Sequence, residues 1–221
     1  MKQKRKTIVA VFAHPDDEAF GPAGTLAKFA QTHDVYVICA TNGEAGDKTY
    51  AGRGKLGDIR RKELEASAKI LGVKKVFFLG FKDGTLSNNL YHDLACSVER
   101  VLQKLKPDTL ITFELRGVSG HIDHIVTAFV VTYVFERMPF IKKLMYFCVT
   151  AKFRKPMKSY FIHVPPGYDE SEIDEAIDIS TVFEKKIAAV QAHVSQKKDV
   201  LRILPVLQRF DKKEHFLVLK K

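Results

Sequence analysis

Continuous apolar runs of five to eight residues alternate with longer amphipathic stretches over most of this 221-residue chain, and few folds can absorb that alternation. Residues 7–13, 34–41, 75–79, 109–113, 144–150 and 159–164 read as strands. Residues 18–32, 58–71, 90–105, 121–135 and 181–196 read as helices. A strand that is apolar along its length is covered on both faces, and strands joined through helices run parallel. The predicted fold class is therefore α/β: a Rossmann-like, three-layer α/β/α arrangement around a mostly parallel sheet. One domain is expected over 1–221, with a parallel core at 1–164 and a C-terminal appendage at 165–221. The appendage begins at the turn-rich Pro165-Pro166-Gly167-Tyr168-Asp169-Glu170. For residues 215–221 the pattern leaves two options open, a strand or a docked tail.

Several function classes recede on composition and spacing. No apolar run approaches the ~18 residues of a membrane span, so no membrane insertion is expected. Residues 1–6 are basic, but the apolar run after them is short and lacks a small-residue cleavage site, so the expected location is cytoplasmic. Cys39, Cys96 and Cys148 have neither metal-site spacing nor an even count; Cys39 and Cys148 read as buried free thiols. The formal charge of +10 is spread over scattered lysine clusters, which reads as a solvated basic face, and no nucleic acid is expected as a partner. Gly52-Arg53-Gly54-Lys55-Leu56-Gly57 fits G-x-G-x-x-G, but a dinucleotide fingerprint directly follows the first strand and this stretch lies beyond the second. The glycine-rich stretch 43–57 reads instead as a loop that moves over substrate.

The chemistry-bearing residues fall in two places. Ala13-His14-Pro15-Asp16-Asp17-Glu18 follows the first strand, and His121-Ile122-Asp123-His124 follows the fourth. In open α/β sheets ligands bind beyond the carboxyl ends of strands. Pro15 fixes its own φ and biases His14 towards extended geometry, which suits a sharp exit into a cleft. Adjacent carboxylates repel unless a cation or a proton lies between them. A divalent metal resolves that repulsion and leaves the second carboxylate as a base. Asp17 as an ordinary helix cap would explain one acid, not His14, Asp16 and Asp17 together. On a helix His121 and His124 share one face, and Asp123 is placed to orient an imidazole. The two motifs read as one split metal site.

These motifs resemble the PIG-L/LmbE family of zinc-dependent N-acetylglucosamine deacetylases. Supporting matches are Thr41-Asn42-Gly43-Glu44, Arg60-x-x-Glu63, Leu71-Gly72-Val73, Asp83-Gly84 and Ala192-His193-x-Ser195-Gln196, so the resemblance spans residues 7–196. Ile122 departs from it, standing where the family commonly has Pro. The resemblance implies a hydrolase of linear amide C–N bonds with one Zn²⁺ per chain on His14, Asp17 and His124. It implies Asp16 as general base, and His121 as the electrophilic imidazole with Asp123 behind it, raising the His121 pKa. It also implies Arg60 at the substrate pocket; Glu44 and Asp83 are further candidates for substrate contact. The implied substrate is a small N-acetylated amino-sugar conjugate. Iron or cobalt could replace zinc, and a homo-oligomer stays open. Two other readings remain beside it: a related zinc amidase acting on a non-sugar or thiol-conjugate amide, and a nucleotide- or nucleic-acid-binding α/β module.

Overall fold

A computed structural model describes residues 5–46, 55–154, 162–209 and 211–221. The first part of the strand expected at 159–164 (159–161) and most of the glycine-rich loop (47–54, including Gly52-Arg53-Gly54) lie outside the described residues.

The first half is the expected β-α series: β1 (Thr7–Phe12), α1 (Asp17–Phe20), α2 (Ala23–Ala30), β2 (Asp34–Thr41), α3 (Leu56–Leu71), β3 (Lys75–Phe81), α4 (Tyr91–Leu105), β4 (Thr109–Phe113), α5 (Gly117–Gly120), α6 (Ile122–Arg137) and β5 (Lys143–Cys148). Then come α7 (Ala151–Arg154), β6 (Glu175–Asp178), α8 (Phe183–Gln191), α9 (Lys197–Arg209) and β7 (Lys213–Lys220). The described strands form one seven-stranded sheet in the order β3-β2-β1-β4-β5-β7-β6. The first five are mutually parallel, and β7 runs antiparallel to both β5 and β6.

Side chains alternate along β1 and so serve two cores. Ile8, Ala10 and Phe12 join Leu26, Phe147, Phe183, Val190 and Phe216 on one face. Val9 and Val11 join Ile38, Leu94, Val98, Leu110 and Val131 on the other. These are the two interfaces of a three-layer α/β/α fold. From β1 the chain winds outward through β2 to β3, then returns to place β4 on the opposite side of β1. The crevice at that reversal lies between the carboxyl ends of β1 and β4, where such folds bind ligands.

The structure departs from the sequence pattern in four places and settles the open choice at the last residues as a strand. The single helix expected at 18–32 is split into α1 and α2, because Pro22 cannot continue a helix and occupies the cap position instead. The helix expected at 181–196 stops at Gln191; His193 leaves helical geometry at ψ 62° and a separate helix, α9, follows. Residues 162–164 are not in a strand. The last residues form β7, inserted between β5 and β6. β6 itself comes from an acidic stretch with no apolar alternation to mark it.

Candidate active site

The chain leaves β1 through a strained turn. Asp16 has φ 125°, a region that L-residues rarely adopt, which costs roughly 1–3 kcal/mol. Three groups hold it there. The Asp16 carbonyl accepts from the N–H groups of Ala19 and Phe20, its N–H donates to Glu18 Oε2 at 3.2 Å, and its Oδ2 receives Arg60 Nη2 at 2.8 Å. Asp17 folds back over the strand end. Its Oδ2 accepts from the N–H groups of Ala13 (3.1 Å) and His14 (2.8 Å), which leaves Oδ1 facing His124 Nε2 at 3.1 Å. The cap reading of Asp17 therefore fails: Asp17 lies inside α1, and Asp16 at the cap position makes no side-chain cap bond.

After β4 the chain makes an irregular turn through Gly117, Val118 and Gly120, all at positive φ. Buried Glu114 shapes this turn by accepting from the N–H groups of Arg116 and Val118 and from the Tyr168 hydroxyl. His121 then caps α6, with Nδ1 accepting from the Asp123 N–H at 3.1 Å. His124, one turn on, points Nδ1 at the Gly117 carbonyl at 3.1 Å.

Hydrogen-bond partners assign the tautomers. His124 Nδ1 faces a carbonyl and so carries the proton, which leaves Nε2 as a lone pair. His14 Nε2 faces Asp83 Oδ1 (3.1 Å) and Asp123 Oδ2 (3.2 Å) and so carries its proton, which leaves Nδ1 as a lone pair. Those two lone pairs meet at 3.1 Å, with the Asp17 carboxylate beside both. Two lone pairs and an anion brought this close need a proton or a cation between them. Donors about 2.0–2.1 Å from a tetrahedral zinc stand about 3.3 Å apart, close to these separations. The donor set thus fits a divalent metal.

Two other groupings bring three donors together, His14 with His121 and His124, and His14 with Asp83 and Asp123. His121 differs from a ligand because its Nδ1 lone pair already serves the Asp123 N–H. Asp83 and Asp123 sit on the proton-bearing side of His14. They are also committed elsewhere, Asp123 to the N–H groups of Gly84 and Leu86 and Asp83 to that of Ala45.

The electrostatics agree with a demand for positive charge. Burial opposes a charge on His14, but hydrogen bonds to Asp123 and Asp83 and the Asp17 charge outweigh it and carry the pKa up to about 10. Burial would raise Asp17, yet His124 and His14 hold it well below the usual carboxylate range. Asp16 is pushed up to about 6, by burial first and by Asp17, with Arg60 pulling against them. His121 is pushed down to about 4 by burial and by charge at His14 and His124. Asp123 does push the His121 pKa up, as expected, but burial and the charges at His14 and His124 outweigh it, so the expected net rise is not found. The Asp123 carboxylate faces His14, and it is its backbone N–H that meets His121.

The candidate substrate residues are placed differently from one another. The Arg60 guanidinium is buried and donates to Asp16, the Pro15 carbonyl and the Gly43 carbonyl. Asp83 lies beside His14, and Glu44 accepts from the Asp83 N–H at 3.2 Å without lining the cavity over the site. One network had only a motif as its signal. Glu18 Oε1 binds Ser67 Oγ and His193 Nε2 (2.8 Å), and Glu63 binds the Ser195 N–H and hydroxyl. Through it the Ala192–Gln196 stretch reaches back to the turn that holds Asp16.

The family model described as PIG-L: GlcNAc-PI de-N-acetylase matches residues 9–135, more than half of the chain and both motifs. The chain belongs to the PIG-L family. Among PIG-L relatives, the probable N-acetyl-alpha-D-glucosaminyl L-malate deacetylase 2 of Bacillus anthracis is 30% identical over 201 residues, covering 89% of this chain and 83% of the relative. The 1D-myo-inositol 2-acetamido-2-deoxy-alpha-D-glucopyranoside deacetylase of Mycobacterium sp. (strain KMS) is 28% identical, covering 86% and 73%. The N,N'-diacetylchitobiose deacetylase from Pyrococcus horikoshii shares the fold with a TM-score of 0.72 at 24% identity, over 97% of this chain and 84% of that one. So does GalB, the 4-carboxy-2-hydroxymuconate hydratase from Pseudomonas putida KT2440, with a TM-score of 0.74 at 20% identity over 98% and 97%. One fold thus carries both deacetylases and a hydratase, so the fold alone does not decide the reaction and the site does.

Proposed function

We propose that this PIG-L chain is a zinc-dependent N-deacetylase that hydrolyses the acetamide of a small N-acetylglucosamine conjugate. The observation that carries the reading is the convergence of the His14 Nδ1 and His124 Nε2 lone pairs with the Asp17 carboxylate, beside Asp16. Those three side chains would hold the metal, and three protein ligands leave a position for water or substrate. Zinc bound there supplies a Lewis acid for the amide carbonyl and lowers the pKa of water.

The remaining work falls to residues of the chain. Arg60 anchors one Asp16 oxygen and fixes the carboxylate's direction; the other oxygen takes the proton from attacking water. His121, its Nδ1 occupied, presents its N–H from Nε2 and donates to the carbonyl oxygen as negative charge grows there. Asp16 then returns its proton to the departing amine. Asp83 and Asp123 keep the His14 ring in its metal-binding tautomer. We further read 1–221 as one domain and the enzyme as cytoplasmic, a reducing compartment that suits the free thiols of Cys39, Cys96 and Cys148.

The test pairs metal analysis with acetate release from N-acetylglucosaminides, in the wild type and in Asp16→Asn. About one zinc per chain in both proteins is expected, with kcat lower by about 10²–10⁴-fold in the variant. Metal bound without cleavage of any sugar amide, but with cleavage of a thiol-conjugate amide, would move the substrate class. No metal binding would remove the catalytic reading.

A further inference from the structure

The site opens into a cavity of about 370 Å³ that continues well past the reacting groups. At its near end are His14, Asp16, His121 and His124. Its middle stretch is walled by Phe113 and Phe147 from the sheet, Ile179 and Phe183 before and at the start of α8, and Ile203 and Leu207 from α9. The passage is continuous with the site, because the Phe113 ring lies 4.7 Å from that of His124 and 6.1 Å from that of Phe147.

Two observations define what this stretch accepts. First, α9 carries Val200, Ile203, Leu204 and Leu207 at helical spacing on one face, and Ile203 and Leu207 of that face border the cavity. Second, the buried charges in its wall are already satisfied. Lys186 donates to the Gly21 carbonyl and to Glu214, and Glu214 accepts from the N–H groups of Gly24 and Thr25 at the start of α2. A sugar hydroxyl packed against these six apolar side chains would give up water without gaining a partner from Lys186 or Glu214, whereas an apolar group would exchange water for carbon contacts.

We propose that this stretch is a binding site for an apolar substituent of the substrate, a hydrocarbon chain or ring several carbons long, so that the preferred conjugate is amphiphilic. The inference rests on the deacetylase reading and specifies its substrate. Such a group has two sources, the acyl chain of the amide or an apolar aglycone on the sugar.

Two ligand series separate them on the zinc-loaded full-length protein. One holds methyl glucosaminide amides with acyl chains of two, four, six and eight carbons. The other holds N-acetylglucosaminides with methyl, butyl and octyl aglycones. Acid release is measured with the wild type, and Kd by calorimetry with Asp16→Asn. Affinity is expected to rise up to about fourfold per methylene in one series, which identifies the source. The slope is expected to flatten in Leu207→Trp and in Ile203→Phe, which fill the stretch from one side and leave the reacting groups unaltered. No dependence on length in either series, or a slope unchanged in both variants, overturns the proposal. Failure of the deacetylase reading looks different: no acid is released from any compound, while the slope in Kd can still be read and still decides whether the apolar site exists.

Discussion

Asp16 and Asp17 are neighbours in sequence with opposite surroundings, and their backbone accounts for it. At φ 125° the Asp16 carboxylate swings towards Arg60, while Asp17 turns back onto the strand end and two N–H groups. One is pushed up to about 6 and the other is lowered. His121 and His124 diverge in the same way, according to which ring nitrogen meets a backbone N–H and which a carbonyl. His121→Ala is therefore expected to lower kcat by about 10²–10³-fold while zinc content stays at the wild-type level; loss of zinc would place His121 among the ligands. His193 gives a prediction for stability. Burial works against charge on this ring, but Glu18 and its hydrogen bond outweigh burial and raise the pKa above the ordinary 6.5. A raised folded-state pKa means that the folded protein holds the proton more tightly, so the stabilisation is complete below about pH 6.5 and fades as pH rises through the folded-state value. Thermal melts of wild type and His193→Gln should differ most below pH 6.5 and converge at higher pH; a constant gap would show that His193 contributes by packing alone.

At the level of elements, α3 organises the site from behind. Arg60, Glu63 and Ser67 lie on one buried face at helical spacing, and they reach Asp16, Ser195 and Glu18 respectively. The loop after β2 is built to let Arg60 through. Gly43 has φ 72°, and a Cβ there would collide with the guanidinium. Gly43→Ala should cost roughly 1–2 kcal/mol from backbone conformation alone and should also displace Arg60. The variant should thus lose both Tm and kcat, whereas a purely conformational effect would lower Tm and spare kcat. The helix boundaries follow the same logic. Pro22 ends α1 by removing a donor, and that break frees the N–H groups of Gly24 and Thr25 to bind Glu214 from the far end of the chain.

For the molecule as a whole, the reversal of strand order at β1 brings residues 14–17 and 121–124 to one crevice although about a hundred positions separate them. The C-terminal residues complete the sheet. β7 lies between β5 and β6, Phe216 is fully buried in the core, and Glu214 ties β7 to α2 and α8. Deleting residues 211–221 should leave β5 with an open edge and Lys186 without its counter-ion, so loss of the cooperative thermal transition and aggregation are expected. A truncated protein that melts cooperatively near the wild-type Tm would show instead that residues 1–210 suffice for the fold.

The sequence by itself determined the parallel core and the two motifs, because strand and helix periods and adjacent His and Asp residues are local signals that survive without neighbours. β1, β2, β4, α3 and α4 stand within two residues of the pattern that announced them. Tertiary structure alone decided which group faces which. The Asp123 carboxylate meets His14, 109 positions away, and only the Asp123 N–H meets His121 two positions away, because Gly84 and Leu86 take the carboxylate on another strand's loop. Arg60 is committed to Asp16 for the same kind of reason, and β6 and β7 owe their pairing to an edge of β5 that no local pattern encodes. Hydrogen bonds between distant residues depend on burial and direction, and those exist only once the sheet has brought its ends together.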